Sequence, residues 1–212
     1  MTSLSELALL LVVLTDFAVL GMSRLSACIR AIALQGVLLG ALPLLLHPEM
    51  SVHTVSLAIG TAVIKAGLLP WFLRWAIREA AVRREVEPRI GYMASMILGG
   101  VALAIAFGVA AALPLELVET DLLVPVALVT VIIGLIVLTT RAKAITQVVG
   151  YLMLENGIYL FGLTQSQRVP FLVEIAVLLD VFVGVFIMGI VVFHINREFD
   201  SISSAKLTEL HD

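Results

Sequence analysis

The sequence predicts an all-α, polytopic membrane protein with about seven transmembrane helices, and three observations carry that expectation. Hydrophobic residues make up 61% of the 212-residue chain and charged residues only 14%, with a mean hydropathy of +1.12. A soluble domain has about 45–50% apolar and about 25% charged residues, so this chain has too few polar side chains to cover a wetted surface. The apolar residues gather into seven stretches, each near the roughly 20 residues that a spanning helix needs. Basic residues fall in every second connection between those stretches. A soluble enzyme, a nucleic-acid binder and a disordered tail are thereby excluded. The net charge of −3 offers no basic footprint for a polyanion. The single cysteine, Cys28, excludes an internal disulfide and a cysteine-built metal site.

The stretches follow in order. The first, 4–21, has Glu6 where a signal peptide is basic, and no small-residue cleavage site follows it; it reads as a retained helix. The second, 28–46, ends at Pro48 and holds Pro43 late in its length. The third, 54–77, carries Lys65, Gly67 and Pro70 inside it. Proline there frees a backbone carbonyl and should kink the helix. The fourth, 90–113, follows Pro88, and the fifth and sixth cover 122–139 and 145–164. The seventh, 171–194, is preceded by Pro170 at the first turn, where a missing N–H costs little. These stretches group as a four-helix segment (1–113), a three-helix segment (122–196) and a polar tail (197–212).

Sidedness follows from the connections. Arg24 and Arg30 lie by the first, Arg74, Arg78, Arg83, Arg84 and Arg89 surround the third, and Arg141 and Lys143 fill the fifth. Arg197 and Lys206 follow the last stretch. The alternate connections hold His47, Glu49 and His53, then Glu116, Glu119 and Asp121, then Arg168. The positive-inside rule places the N-terminus outside and the C-terminus in the cytoplasm, with an odd number of crossings. The 83–89 segment, with Glu85 and Glu87, reads as a solvated cytoplasmic loop.

Ionisable groups inside the stretches carry the functional signal. A charge at membrane depth costs about 2.5–3.5 kcal/mol on insertion scales. Asp16, Lys65, Glu155, Glu174 and Asp180 all stand there, and His194 ends the last stretch as an interfacial residue. Lys65, Glu155 and Asp180 fall near the centres of their helices. One reading is a buried ion pair, Lys65 with Glu155 or with Asp180, that fixes helix packing. The other is a proton relay, since one lysine leaves acids over, and burial disfavours the charged form of acid and lysine alike. The set favours the relay. Asp16 lies nearer the cytoplasmic end of its helix and Glu174 about a turn inside the outer end of its own; each fits either a proton entrance or a plain interfacial acid.

Small residues cluster in the same region. Gly150, Gly157, Gly184 and Gly189 allow helices to approach closely. Gly150, Glu155, Asn156 and Gly157 form a short polar stretch in an apolar helix, which suits a hydrated cavity. The sequence has no haem ligand pair, iron–sulfur cysteine pattern, phosphate loop or nucleophile–base pair, so no catalytic residue, metal site or cofactor is expected in this chain.

The run 146–157 (TQVVGYLMLENG), then 170–175 (PFLVEI) and Asp180, resembles component E of hydrogenase 4, a membrane subunit of formate hydrogenlyase-type [NiFe] hydrogenase complexes. The likeness extends to 24–28 (RLSAC), to Lys65 with Pro70, and to 206–210 (KLTEL). The 122–196 segment also resembles the K subunit of respiratory complex I and the C subunit of multisubunit cation/proton antiporters. Two membrane glutamates serve the proton pathway in the K subunit. With the glycines matched, Asp180 falls on the second of them; Leu152 takes the place of the first, and Glu155 stands one turn further along.

The resemblance implies an integral membrane subunit of a complex-I-like, [NiFe]-hydrogenase-related assembly in a bacterial or archaeal cytoplasmic membrane. It would link a quinone-site-like anchor subunit to an antiporter-like subunit. Peripheral hydrogenase-like and iron–sulfur subunits would hold the [NiFe] centre and the clusters, and no nucleic acid is implied. Its proton path would use Asp180, Glu155, Lys65, Glu174 and Asp16, supported by Asn156, Gly150 and Gly157. Two alternatives stand beside it. One is a structural spacer without proton handling. The other is a subunit of a cation/proton antiporter lacking a redox arm, which leaves residues 1–113 without a counterpart.

Overall fold

In a computed structural model of the chain, the described residues are 2–46, 52–79, 89–112 and 121–164, with 179, 182, 183, 185–187 and 189. They form helices and no strand: α1 (Thr2–Gly21), α2 (Leu25–Leu46), α3 (Val52–Thr61), a π-helical segment (Ala62–Leu68), α4 (Leu69–Glu79), α5 (Tyr92–Ala112), α6 (Leu123–Thr140) and α7 (Ala144–Thr164). The all-α expectation holds. Five helical stretches are long and apolar enough to cross a membrane: Leu4–Gly21, Leu25–Leu46, Thr54–Arg78, Tyr92–Ala112 and Leu123–Thr140. α7 is as long, at 21 residues, but Gln147, Glu155 and Asn156 dilute its apolar character. The seventh stretch, including Glu174, Asp180 and His194, lies outside the described residues apart from a few scattered positions.

The outward surface matches lipid rather than water. On α5, Met93, Ile97, Val101 and Ile105 recur at four-residue spacing and are all exposed, an apolar face that would be untenable in a soluble monomer. Leu4, Leu7, Leu11 and Leu14, at alternating three- and four-residue spacing, are likewise exposed on α1. Inside, Leu20, Ile29, Leu73, Ile133 and Val149 form one core cluster, and Leu9, Leu39, Leu123 and Leu160 a second.

The proline in the third stretch acts differently from a simple kink. Pro70 has no N–H to donate to the turn before it, and its ring crowds the carbonyl four residues back. The chain answers by widening: residues 62–68 are π-helical, and the Leu69 N–H donates to the carbonyl of Ile64, five residues back. α3, the π segment and α4 thus run as one rod with Lys65 in its widened turn.

α6 and α7 form the tightest pair. A Cβ on Gly150 would stand 2.5 Å from Leu138 N, and one on Gly157 would stand 2.6 Å from Val131 N. Gly134 makes the reciprocal contact on Leu154. The expected role of Gly150 and Gly157 in close approach is realised against α6. Their expected share in a hydrated cavity is not, because backbone fills that space. The cavity of about 350 Å³ beside this hairpin is lined instead by residues such as Leu138, Ala144, Tyr151 and Phe182.

Basic residues lock one end of the bundle. Arg89, just before α5, donates its backbone N–H to Thr140 O at 2.8 Å and its Nη1 to Thr139 O at 3.1 Å. It thereby satisfies the last carbonyls of α6 and complements the negative end of that helix. Arg141, which the sequence places in a connection, is 1% exposed. Its Nη2 donates to Leu20 O at 2.7 Å, and its guanidinium lies 4.6 Å from the centre of the Tyr92 ring. The end of α1, the start of α5 and the end of α6 therefore meet around two arginines.

Candidate functional site, a buried polar chain

Two ionisable centres lie inside the bundle. The first is Lys65 with Glu155: Nζ reaches Oε1 at 2.6 Å, and both side chains are buried. Of the two pairings open to Lys65 in the sequence, the one with Glu155 is formed. The Lys65 ammonium also lies 5.7 Å from the ring centre of Tyr159, within reach of a cation–π attraction. Thr61 Oγ1 donates to the Tyr159 hydroxyl at 3.4 Å. Stripping water from both charges costs several kcal/mol per ion, which mutual attraction and added hydrogen bonds must offset.

The second centre is Asp16. It is 0% exposed, which removes the plain interfacial acid as a reading. Gln35 Nε2 donates to Oδ1 at 2.8 Å, and Thr130 Oγ1 donates to Oδ2 at 2.7 Å. Both carboxylate oxygens therefore accept, the arrangement that suits an acceptor-only, ionised group.

An amide pair leads from Asp16 to the neighbour of Glu155 in the chain. Asn156 Nδ2 donates to Gln35 Oε1 at 2.9 Å, and Asn156 follows Glu155 directly in α7. Thr130, Asp16, Gln35 and Asn156 form one hydrogen-bonded run; beside it Glu155 pairs with Lys65, whose ammonium lies near the Tyr159 ring, and Tyr159 accepts from Thr61. Together these groups draw on α1, α2, α6, α7 and the third rod. Packing brings it together at one point in particular. A Cβ on Gly36 would stand 2.6 Å from the Lys65 carbonyl carbon, so α2 meets the π turn backbone to backbone.

Lys65, Glu155 and Asp16, singled out by their depth, and Asn156, from the polar stretch of α7, are thus collected into one buried polar interior. Gly150 and Gly157 face α6 instead, and Glu174 and Asp180 are outside the described residues. Gln35, Thr130, Tyr159 and Thr61 do not stand out in the sequence, because none of them carries a charge at neutral pH and so none signals the cost of a buried charge. Gln35 stands alone among apolar residues from Ala31 to Leu46 of α2, and uncharged polar side chains at such depth serve as interhelical bonds. That rule would have found it. Among the described residues, no cluster of three or more His, Cys, Asp or Glu could hold a metal ion.

Apolar outer faces around an interior of paired and hydrogen-bonded polar groups define the class: a helical membrane protein with ionisable groups at its centre. No family model matches the sequence, and no solved structure matches it. The chain belongs to the same family as the uncharacterized protein Rv0085 of Mycobacterium tuberculosis (strain ATCC 25618 / H37Rv). The two are 34% identical over 204 residues, covering 94% of this chain and 92% of the relative.

Proposed function

We propose that this chain is a membrane subunit of a complex-I-like, [NiFe]-hydrogenase-related assembly and carries part of its proton path. Its full topology is seven crossings with the N-terminus outside and the C-terminus in the cytoplasm. The carrying observation is the buried polar interior, in which the bonded run from Asp16 through Gln35 ends on Asn156, next in sequence to the Glu155 that pairs with Lys65. A packing device needs one satisfied pair; this interior holds a pair and a further acid whose described partners are uncharged. The resemblance of 146–157 and 170–175 to component E of hydrogenase 4 supplies the assembly. Electrons, nickel and iron–sulfur clusters belong to partner subunits, and the antiporter-like and anchor subunits lie on either side in the membrane.

The spacer reading has its own support in the 2.6 Å Lys65–Glu155 bridge, which gives each charge an internal partner. Gentle purification of the tagged chain from native membranes, with mass spectrometry of what accompanies it, tests membership. An antiporter-like subunit and a hydrogenase-like large subunit are expected. Recovery of the chain with neither would refute it.

A further inference from the structure

Consecutive residues on α2 and on α7 lie between the two ionisable centres. On α2, Gln35 bonds Asp16 and Gly36 packs on the Lys65 backbone. On α7, Asn156 bonds Gln35 and Glu155 pairs with Lys65. The described bonds of the run also share one polarity: Asn156 donates to Gln35, Gln35 donates to Asp16, and Thr130 donates to Asp16 from the other side. A carboxylate that only accepts imposes this order, because Gln35 must turn its NH₂ toward Asp16 and so offers its oxygen to Asn156. The orientation of the Asn156 amide, next to Glu155, is therefore set by the charge on Asp16.

We propose that Gln35 and Asn156 are positioning residues that couple the charge state of Asp16 to that of the Lys65–Glu155 pair. When Asp16 loses its charge it no longer demands two donors. The Gln35 amide is then released to reverse, and Asn156 reverses with it to keep both amides bonded. The electrostatic surroundings of Glu155 change without movement of a helix. The amides carry no proton themselves; they report one centre to the other.

Among the described residues, other charged groups on these elements are exposed or engaged elsewhere. α1 packs against α2, α5 and α6. Its own Glu6 and the Arg30 of α2 are exposed, α5 brings Tyr92 to Arg141, and Arg141 is engaged with Leu20 O. Around the other centre, Arg74 of α4 turns its Nε to Pro70 O and Arg78 is exposed. Tyr159 faces Lys65 through its ring.

The inference deepens the proton-handling reading and rests on it for its purpose, but the geometry belongs to this chain alone. The test therefore uses the full chain in lipid bilayers, outside any complex, so that its failure is distinguishable from failure of complex membership. Solid-state NMR of side-chain-labelled protein reads the Gln35 and Asn156 amides, the Lys65 ammonium and the Glu155 carboxyl. Asp16→Asn should shift both amide signals together with those of Lys65 and Glu155. In a Gln35→Met background, the same substitution should leave Lys65 and Glu155 unmoved. Asn156→Leu breaks the link at its other end and serves where Gln35→Met does not fold. Lys65 and Glu155 signals that ignore Asp16→Asn overturn the proposal. So do signals that respond equally with and without the amides, which would mean plain through-space electrostatics.

Discussion

Gly36 of α2 lies against the backbone of Lys65, so closely that a Cβ would stand 2.6 Å from the Lys65 carbonyl carbon and 2.8 Å from Ala66 N. Backbone atoms in a helical rod cannot step aside as a flexible side chain can. Even one methyl group would push the π turn away from α2 and draw Lys65 from Glu155. Gly36→Ala should therefore lower stability by about 1–3 kcal/mol, the usual cost of overpacking. Gly60→Ala is the control, since nothing lies within 4 Å of a Cβ there; it should be neutral or slightly stabilising, by about 0.5–1 kcal/mol. Unfolding midpoints in one detergent decide, and equal behaviour of the two variants would discredit the contact.

Lys65 and Glu155 predict a non-additive pair. Lys65→Met leaves a buried carboxylate without its counter-ion, and such a loss costs about 3–5 kcal/mol. Adding Glu155→Leu removes the stranded charge, and the double variant should regain most of the stability. A double variant no more stable than Lys65→Met alone would mean that the bridge contributes little.

Arg141 predicts that a conservative change is not conservative. Its guanidinium bonds Leu20 O at 2.7 Å while stacking on Tyr92, and a lysine cannot do both from one compact ammonium. Arg141→Lys should cost about 1–3 kcal/mol, the scale of a lost hydrogen bond to a charged group. The same substitution at Arg30, an exposed residue of α2, should change the unfolding midpoint little. Comparable losses at both arginines would contradict the buried lock.

Topology is checked by labelling. Cys28 is the single cysteine and is buried, so it competes little with a new surface thiol. With seven crossings, Glu119→Cys should react from outside and Ser201→Cys from the cytoplasm. Reaction of both from one side would mean an even number of crossings between residues 119 and 201, and the seven-helix count would be wrong.

The fold was legible because membrane solvation is a blunt constraint: runs of apolar residues, broken by Arg24, Arg89 and Arg141, mark helices and their shared end. The interior was half legible. Lys65, Glu155 and Asp16 stand out by the cost of a charge at depth, whereas Gln35 and Thr130 carry no such penalty and drew no notice. The Lys65–Glu155 pairing spans 90 residues of sequence; periodicity within one helix says nothing of which faces meet. The π turn was out of reach for a related reason. Pro70 announces a lost hydrogen bond, but a kink and a widened turn both accommodate it, and packing of Gly36 on the Lys65 turn accompanies the second.

Proton handling and scaffolding make opposite predictions once the interior charges are removed without removing its hydrogen bonds. Lys65→Gln with Glu155→Gln keeps polar groups of similar length in place and strands no buried charge, so helix packing and assembly should survive. If these groups carry protons, that double variant in the intact complex should lose most of its proton pumping per redox turnover in sealed vesicles. Asp180→Asn, at the position where the K-subunit resemblance puts an acid, should do the same. Each neutral amide can accept and donate hydrogen bonds but cannot hold the exchanged charge. Assembly of the complex is read in the same preparation by subunit content, which separates uncoupling from collapse. Pumping at the wild-type ratio in a fully assembled variant would return Lys65 and Glu155 to the role of an ion pair that fixes helix packing.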